Sequence, residues 1–312
     1  MKKILSRSLF SIVLLLVLLP SLGGCSREES VSVTVTGPGL PTVDKSEAPD
    51  PIETELPVIS ETELPAVNEM EPPAGTITPG LPQPEPPSSS YSWYFQRNNL
   101  HQVPFVAEST CRLLEDNNAF YYREISGSQI YLTFDEGYEL GYTGQILDIL
   151  QANDVKAIFF ITGHYINSQP ELVIRMKQEG HLVGNHTVNH PDLGIADLNT
   201  ITAEITGLEN KFTALTGLPM DKYMRPPMGL YSESSLAATA NLGYHTVFWS
   251  LAFHDWDPNE QPGADFSYQH VMDNVHPGAV ILLHAVSQSN TEALDRIIKD
   301  LQAAGYEFSL FP

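Results

Sequence analysis

From Ile130 onward, apolar residues gather into short runs that alternate with stretches of helical period. IYLTF precedes the helical TGQILDILQAND, AIFFIT precedes PELVIRMKQEG, and HLVGN precedes a helix predicted across Leu198 to Leu215. The same order continues with YMRP before SESSLAATANLG, HTVFWS before a helix near His270 to Val275, and AVILLHA before TEALDRIIKDLQAAG; YEFSLF closes the chain. Repeated βα units with glycines at the helix ends predict an α/β fold built on a parallel sheet. About seven strands, with no G-x-G-x-x-G after the first, favour a distorted (β/α) barrel over an open doubly wound sheet. Residues 91–129 carry no clear period and are expected to form a lead-in or cap segment, leaving residues 130–312 as the main domain.

The amino-terminal pattern is of another kind. Lys2, Lys3 and Arg7 precede LFSIVLLLVLLP, an apolar run too short for a comfortable membrane span, so residues 1–24 read as an export signal. The run ends in LGGC, and small residues before a cysteine resemble a bacterial lipobox. The expectation is cleavage before Cys25, lipid attachment to that residue, and tethering to the outer face of the cytoplasmic membrane; a plain secretory signal cut nearby is the alternative. Residues 25–90 follow as a linker. Ser26 to Ser90 holds 13 of the 24 prolines and 12 acidic residues against only Arg27 and Lys45, a composition that buries no core. A flexible chain of that length reaches about 45 Å, so it suits a spacer between membrane and domain.

Charge and cysteine content narrow the partners. The formal charge of −22 becomes −25 once the three bases of the signal are removed, which argues against nucleic acid and against electrostatic attraction to anionic lipid. Membrane association would then rest on the lipid anchor alone. With Cys25 lipidated, Cys111 has no partner for an internal disulfide.

The polar residues that interrupt the pattern sit just after strands: Asp135 and Glu136 after the first, His186 and His190 after the third, Arg225 after the fourth, Asp255 after the fifth and His284 after the sixth. In a βα barrel those ends gather on one rim, where active sites are built. HTVNH spaces two histidines so that one helical turn would aim both at one point, as a metal requires, and Pro191 limits any helix to that turn. Each residue also has an ordinary structural reading. Asp135 could stabilise the next helix N-terminus, His284 could be a bonded core histidine, and Arg225 could pair with any carboxylate at the rim. Trp256 suits packing or substrate stacking equally, and the same holds for Tyr138 and Tyr142.

Taken in order, TFDEG, HTVNH, RPPMG, HDW and LLH resemble the motifs of the polysaccharide deacetylases, carbohydrate esterase family 4 or the NodB-homology domain, across Ile130 to Phe311. The resemblance implies hydrolysis of an N-acetyl group from an amino sugar, with a divalent cation as cofactor: zinc first, with manganese and cobalt as other candidates. It assigns Asp135 as catalytic base, Arg225 as its orienting partner, His284 as general acid and Asp255 as the residue that tunes that acid. His186 and His190 become metal ligands, and the backbone N–H of Met228 the oxyanion donor.

One position departs from the family pattern. Glu136 stands where most members have a ligating Asp, and its extra methylene displaces the carboxylate by about 1.5 Å against a tolerance of about 0.2 Å in metal distances, so ligation by Glu136 requires the backbone to retreat. The departure, together with GYELGYT, TGHYINSQPELVIRMKQEGHLVGNH, VFWSLAFHDW and LLHAVSQSNTEALDRI, resembles the spore-cortex muramic acid deacetylases. That resemblance implies N-acetylmuramic acid in a peptidoglycan glycan strand as substrate, leading to muramic δ-lactam. Two other readings stay open: a deacetylase of N-acetylglucosamine in peptidoglycan or chitin oligomers, and a glycan-binding module whose metal site Glu136 has broken.

Overall fold

The computed structural model describes residues 89–123 and 127–312. The signal, Cys25 and the linker up to residue 88 lie outside the described residues. In chain order the elements are β1 (Tyr91–Ser92), α1 (Glu108–Asp116), β2 (Ala119–Phe120), β3 (Gln129–Glu136), α2 (Thr143–Ala152), β4 (Ile158–Ile161), α3 (Gly163–Ser168), α4 (Pro170–Gln178), β5 (Leu182–Asn185) and α5 (Leu198–Thr216). They continue with β6 (Tyr223–Met224), a 3₁₀ turn (Pro227–Gly229), β7 (Leu230–Tyr231), α6 (Glu233–Asn241), β8 (His245–Val247), α7 (Ala264–Asn274), β9 (Val280–His284), α8 (Gln288–Ala303) and β10 (Glu307–Phe308).

Eight strands form one sheet in the order β10-β3-β4-β5-β6-β8-β2, with β9 also paired to β3, and every pairing within it is parallel. The curl closes through a bridge between Leu251, beyond β8, and Ile281 on β9. The expected distorted barrel is thus observed. Its eighth strand, β2, comes from the lead-in segment, where two residues are too few to show a period.

Side-chain alternation along the parallel strands separates two apolar layers. Tyr131, Ile158, Phe160, Tyr223, Val247 and Val280 meet inside the curl. Residues of opposite parity, such as Leu132, Phe134, Phe159 and Leu283, pack outward against the helices through Ile146, Leu150, Leu294 and Ile298. Helix ends follow local chemistry. Asp197 caps α5 by accepting from Thr200 N at 2.7 Å, and Gly217 ends it at φ 71°, a left-handed conformation suited to glycine.

Candidate active site

The register of β3 against β9 pairs Asp135 with His284, and that of β5 against β6 pairs Asn185 with Met224, the residues just before His186 and Arg225. Parallel pairing therefore delivers Asp135, His284, His186 and Arg225 to the same rim. Asp135 shares the inner parity of Tyr131 and Thr133. Its Oδ1 accepts from Arg225 Nη1 at 2.7 Å, and the same nitrogen donates to Thr133 Oγ1 at 2.9 Å.

Arg225 is wholly buried, which is costly for a cation. Three features offset the cost: the Asp135 carboxylate, the Val247 carbonyl that accepts from Nε at 3.2 Å, and the Phe160 ring 4.2 Å from its guanidinium carbon. Burial by itself pushes the Asp135 carboxyl up. The charge and hydrogen bond of Arg225, aided by His284, outweigh it, and the group sits below the ordinary aspartate range, ionised at neutral pH.

His186 and His190 come together with ring centroids 4.9 Å apart, but not by the expected helical turn. The stretch from Thr187 to His190 is a loop with left-handed residues at both ends, Thr187 at φ 69° and His190 at φ 57°. Side chains fix it. Asn185 Oδ1 accepts from Thr187 N at 2.9 Å, Thr187 Oγ1 from His190 N at 3.0 Å, and the Glu204 carboxylate takes both Asn189 N (2.8 Å) and Asn189 Nδ2 (2.7 Å). Gly163 N donates to the carbonyls of Thr187 and Val188 at 3.0 and 3.1 Å, an approach so close that a Cβ at residue 163 would lie 2.5 Å from Val188 O.

The Arg225 carbonyl lies 2.7 Å from His186 Nδ1, so Nδ1 carries the proton and Nε2 is left as the lone-pair nitrogen, 3.6 Å from Asp135 Oδ2. Burial lowers the His186 pKa to about 4 and lowers that of His190 as well, so both rings are neutral donors at pH 7. Two imidazoles of this kind fit a divalent cation.

Glu136 does not join them. Alternation turns it to the outer face of β3, where it is wholly buried, Oε2 accepts from Thr143 Oγ1 at 3.3 Å and Oε1 meets no partner among the described residues. Burial first, then the charges of Glu139 and Asp135, push its carboxyl well above the usual range against the opposing Thr143 hydrogen bond. Among the described residues no three His, Cys, Asp or Glu side chains are grouped for a metal. The neighbouring Glu139 also accepts from Thr143 Oγ1 and Tyr165 Oη, so a closed polar cluster occupies the start of α2.

His284 Nδ1 lies 2.7 Å from Asp255 Oδ1, and His284 N donates to Asp255 Oδ2 at 2.9 Å. Asn290 Nδ2 donates to Asp255 Oδ2 at 2.6 Å. Ser287 caps α8 by accepting from Asn290 N at 3.1 Å, which aims Asn290 at the pair. Burial would lower the His284 pKa. The charge and hydrogen bond of Asp255, aided by Asp135, reverse that and raise it above the ordinary histidine value.

Met228 occupies the 3₁₀ turn at φ 57° with its side chain 56% exposed. Trp256 is exposed, stacks on His254 at 4.1 Å between centroids and lies 6.0 Å from the His284 ring. Tyr138 is exposed beside His164, 4.7 Å between rings. Sequence reasoning gave no part to Thr133, Glu204 or Asn290. Thr133 and Asn290 lie inside stretches already singled out by motif, TFDEG and LLHAVSQSN, whereas nothing in the sequence marks Glu204, whose role arises from α5 lying beside the histidine loop.

The polysaccharide deacetylase family profile matches residues 123–247. The peptidoglycan-N-acetylmuramic acid deacetylase PdaA of Bacillus subtilis is 44% identical over 222 residues, 71% of this chain and 84% of that protein. A peptidoglycan-N-acetylglucosamine deacetylase of Bacillus cereus is 35% identical over 189 residues, covering 59% of this chain and 67% of its own. Among solved structures, that of B. subtilis PdaA, described as a family 4 carbohydrate esterase, superposes with a TM-score of 0.68 over 70% of this chain and 94% of the other.

Proposed function

The chain belongs to the polysaccharide deacetylases of carbohydrate esterase family 4, and from that premise we propose that it hydrolyses the N-acetyl group of N-acetylmuramic acid in peptidoglycan. The observation that carries the chemistry is the in-register pairing of Asp135 with His284, each held by its own buried partner, Arg225 and Asp255. The reading of the sugar rests on the likeness to the muramic acid deacetylase, which is greater than that to the glucosamine enzyme.

Asp135, ionised and oriented by Arg225, takes the proton of the attacking water. The Met228 N–H donates to the oxygen that gains charge at the acetyl carbon. His284, protonated through Asp255, delivers a proton to the departing nitrogen, without which an amine leaves poorly. When bound between His186 and His190, a divalent cation, zinc foremost, supplies further charge stabilisation at the acetamide carbonyl. Tyr138 and Trp256 offer apolar ring faces to the sugars. The freed amine can then condense with the lactyl carboxyl group, forming the C–N bond of the δ-lactam of spore cortex as the carboxyl C–O bond breaks and water leaves.

The LGGC sequence supports export and lipid attachment at Cys25, placing the enzyme on the outer face of the membrane beside its substrate. Incorporation of labelled fatty acid, abolished by Cys25→Ala, tests that part. For the reaction, peptidoglycan treated with the enzyme is digested and analysed by mass spectrometry. Muramic acid lacking its acetyl group, or its lactam, is the expected product; free glucosamine as the main product would overturn the sugar assignment.

A further inference from the structure

The segment preceding the family-matched region is fastened to two catalytic loops at once. β1 pairs antiparallel with β7 through Tyr91 with Tyr231 and Ser92 with Leu230, and Trp93 N donates to Gly229 O at 2.8 Å, one residue beyond Met228. The Trp93 indole N–H donates to Trp249 O at 3.0 Å while its ring stacks on Phe248 at 4.5 Å. The Trp249 ring in turn lies beneath the oxyanion turn. A Cβ on Gly229 would come within 2.9 Å of it, and the Arg225 guanidinium is 5.7 Å from its centroid. Four residues further on, Arg97 Nη2 donates to Ala252 O at 2.9 Å, three residues before Asp255. Reciprocal hydrogen bonds between Gln96 and Phe105, 2.8 and 3.0 Å, hold the strap closed.

Met228 at φ 57° is a non-glycine residue in the left-handed region, a strained conformation that persists only where neighbours enforce it. The bonds to Gly229 and Trp249 are such an enforcement. The Trp93 main-chain N–H holds the loop that carries Met228, while the Trp93 indole and Arg97 reach carbonyls of the segment that carries Asp255.

We propose that Trp93 and Arg97 are positioning residues: the strap 91–97 fixes the oxyanion donor at Met228 relative to the loop that orients His284, so that both act on one amide. The inference rests on the deacetylase reading, in which those two groups serve a common acetamide.

The test uses the full chain with Trp93→Phe, which keeps the ring and removes the indole N–H, and the surface variants Arg97→Ala and Arg97→Lys. Amide hydrogen exchange read by mass spectrometry needs no substrate. Trp93→Phe, which loses the bond to Trp249 O but keeps the main-chain bond to Gly229 O, is expected to speed exchange first in residues 248–251 and, through the Trp249 ring packed against Gly229, in residues 226–231, and Arg97→Ala in residues 250–256, with Arg97→Lys recovering half or more of the change. On peptide-free glycan strands, kcat is expected to fall about tenfold in Trp93→Phe and Arg97→Ala with KM within about twofold, because small misplacement of catalytic groups costs turnover rather than binding. Unchanged exchange in both loops overturns the proposal, as does a loss confined to KM or a uniform rise in exchange that follows the unfolding midpoint. Absence of turnover by the native chain on any amino-sugar glycan would defeat the deacetylase reading, and the exchange rates would still decide whether the strap restrains the loops.

Discussion

Asp135 and Glu136, adjacent on β3, carry their carboxyl groups to opposite faces of the sheet, Asp135 onto Arg225 Nη1 at 2.7 Å and Glu136 onto Thr143 Oγ1 at 3.3 Å. One faces the inside of the curl, where the Arg225 charge holds its carboxyl below the ordinary range; the other faces the helices, where burial pushes its carboxyl well above it. Two neighbouring acids are thus shifted in opposite directions because a strand alternates its sides.

The raised pKa of Glu136 has a stability consequence whose sign is fixed. A carboxyl with a raised folded-state pKa binds a proton that the unfolded chain releases near 4.5, so its contribution is complete below that pH and is lost as pH rises toward the folded value. Glu136→Gln, which mimics the neutral acid, should therefore be more resistant to urea than the native chain at pH 7 to 8. The difference should close below pH 4.5. Equal stability of the two proteins across that range would show that Glu136 is ionised in the fold.

Arg225 tests the opposite case of a buried pair. Arg225→Met removes the partner of an ionised, buried Asp135 and should destabilise the fold by roughly 3–5 kcal/mol. Adding Asp135→Asn should return much of that loss, since no unpaired charge then remains buried. Chemical unfolding of the two single variants and the double variant measures the coupling, and strict additivity would rule out a direct ion pair.

The pH dependence of kcat/KM should reflect both catalytic groups. In the proposed mechanism activity requires ionised Asp135 and protonated His284; the first lies below the ordinary aspartate value of 3.8 and the second above the ordinary histidine value of 6.5, so a broad plateau should span that interval. Asp255→Asn removes the largest influence that raises His284, so the alkaline limb should move to lower pH and kcat at pH 7 should drop by roughly 10². An alkaline limb that stays in place in this variant would separate Asp255 from the acid.

Metal content distinguishes the histidines from Glu136. The native chain should hold about one divalent ion, with activity lost to chelators, and His186→Ala or His190→Ala should remove the ion. Glu136→Gln should retain it. Elemental analysis of the purified variants provides the readout, and loss of the ion from Glu136→Gln would place that carboxyl in the coordination shell after all.

The linear pattern was enough to determine the βα alternation, the parallel sheet and the rim on which the polar residues collect, because strand period, helix period and glycine stops are properties of short windows. It also picked out Asp135, Arg225, Asp255 and His284, each placed at or just after a strand end, and the structure brings all four to one centre. It predicted a helical turn for HTVNH where the fold has a loop, and it was silent on the roles of Glu204 and Asn290 and on the strap from Trp93 to Arg97, since those depend on which side chains and carbonyls approach across distant segments. Glu136 marks the boundary between the two kinds of information. Its position after a hydrophobic strand is local, but its direction, its burial against Thr143 and its proton are set by what the folded sheet places on each side of it.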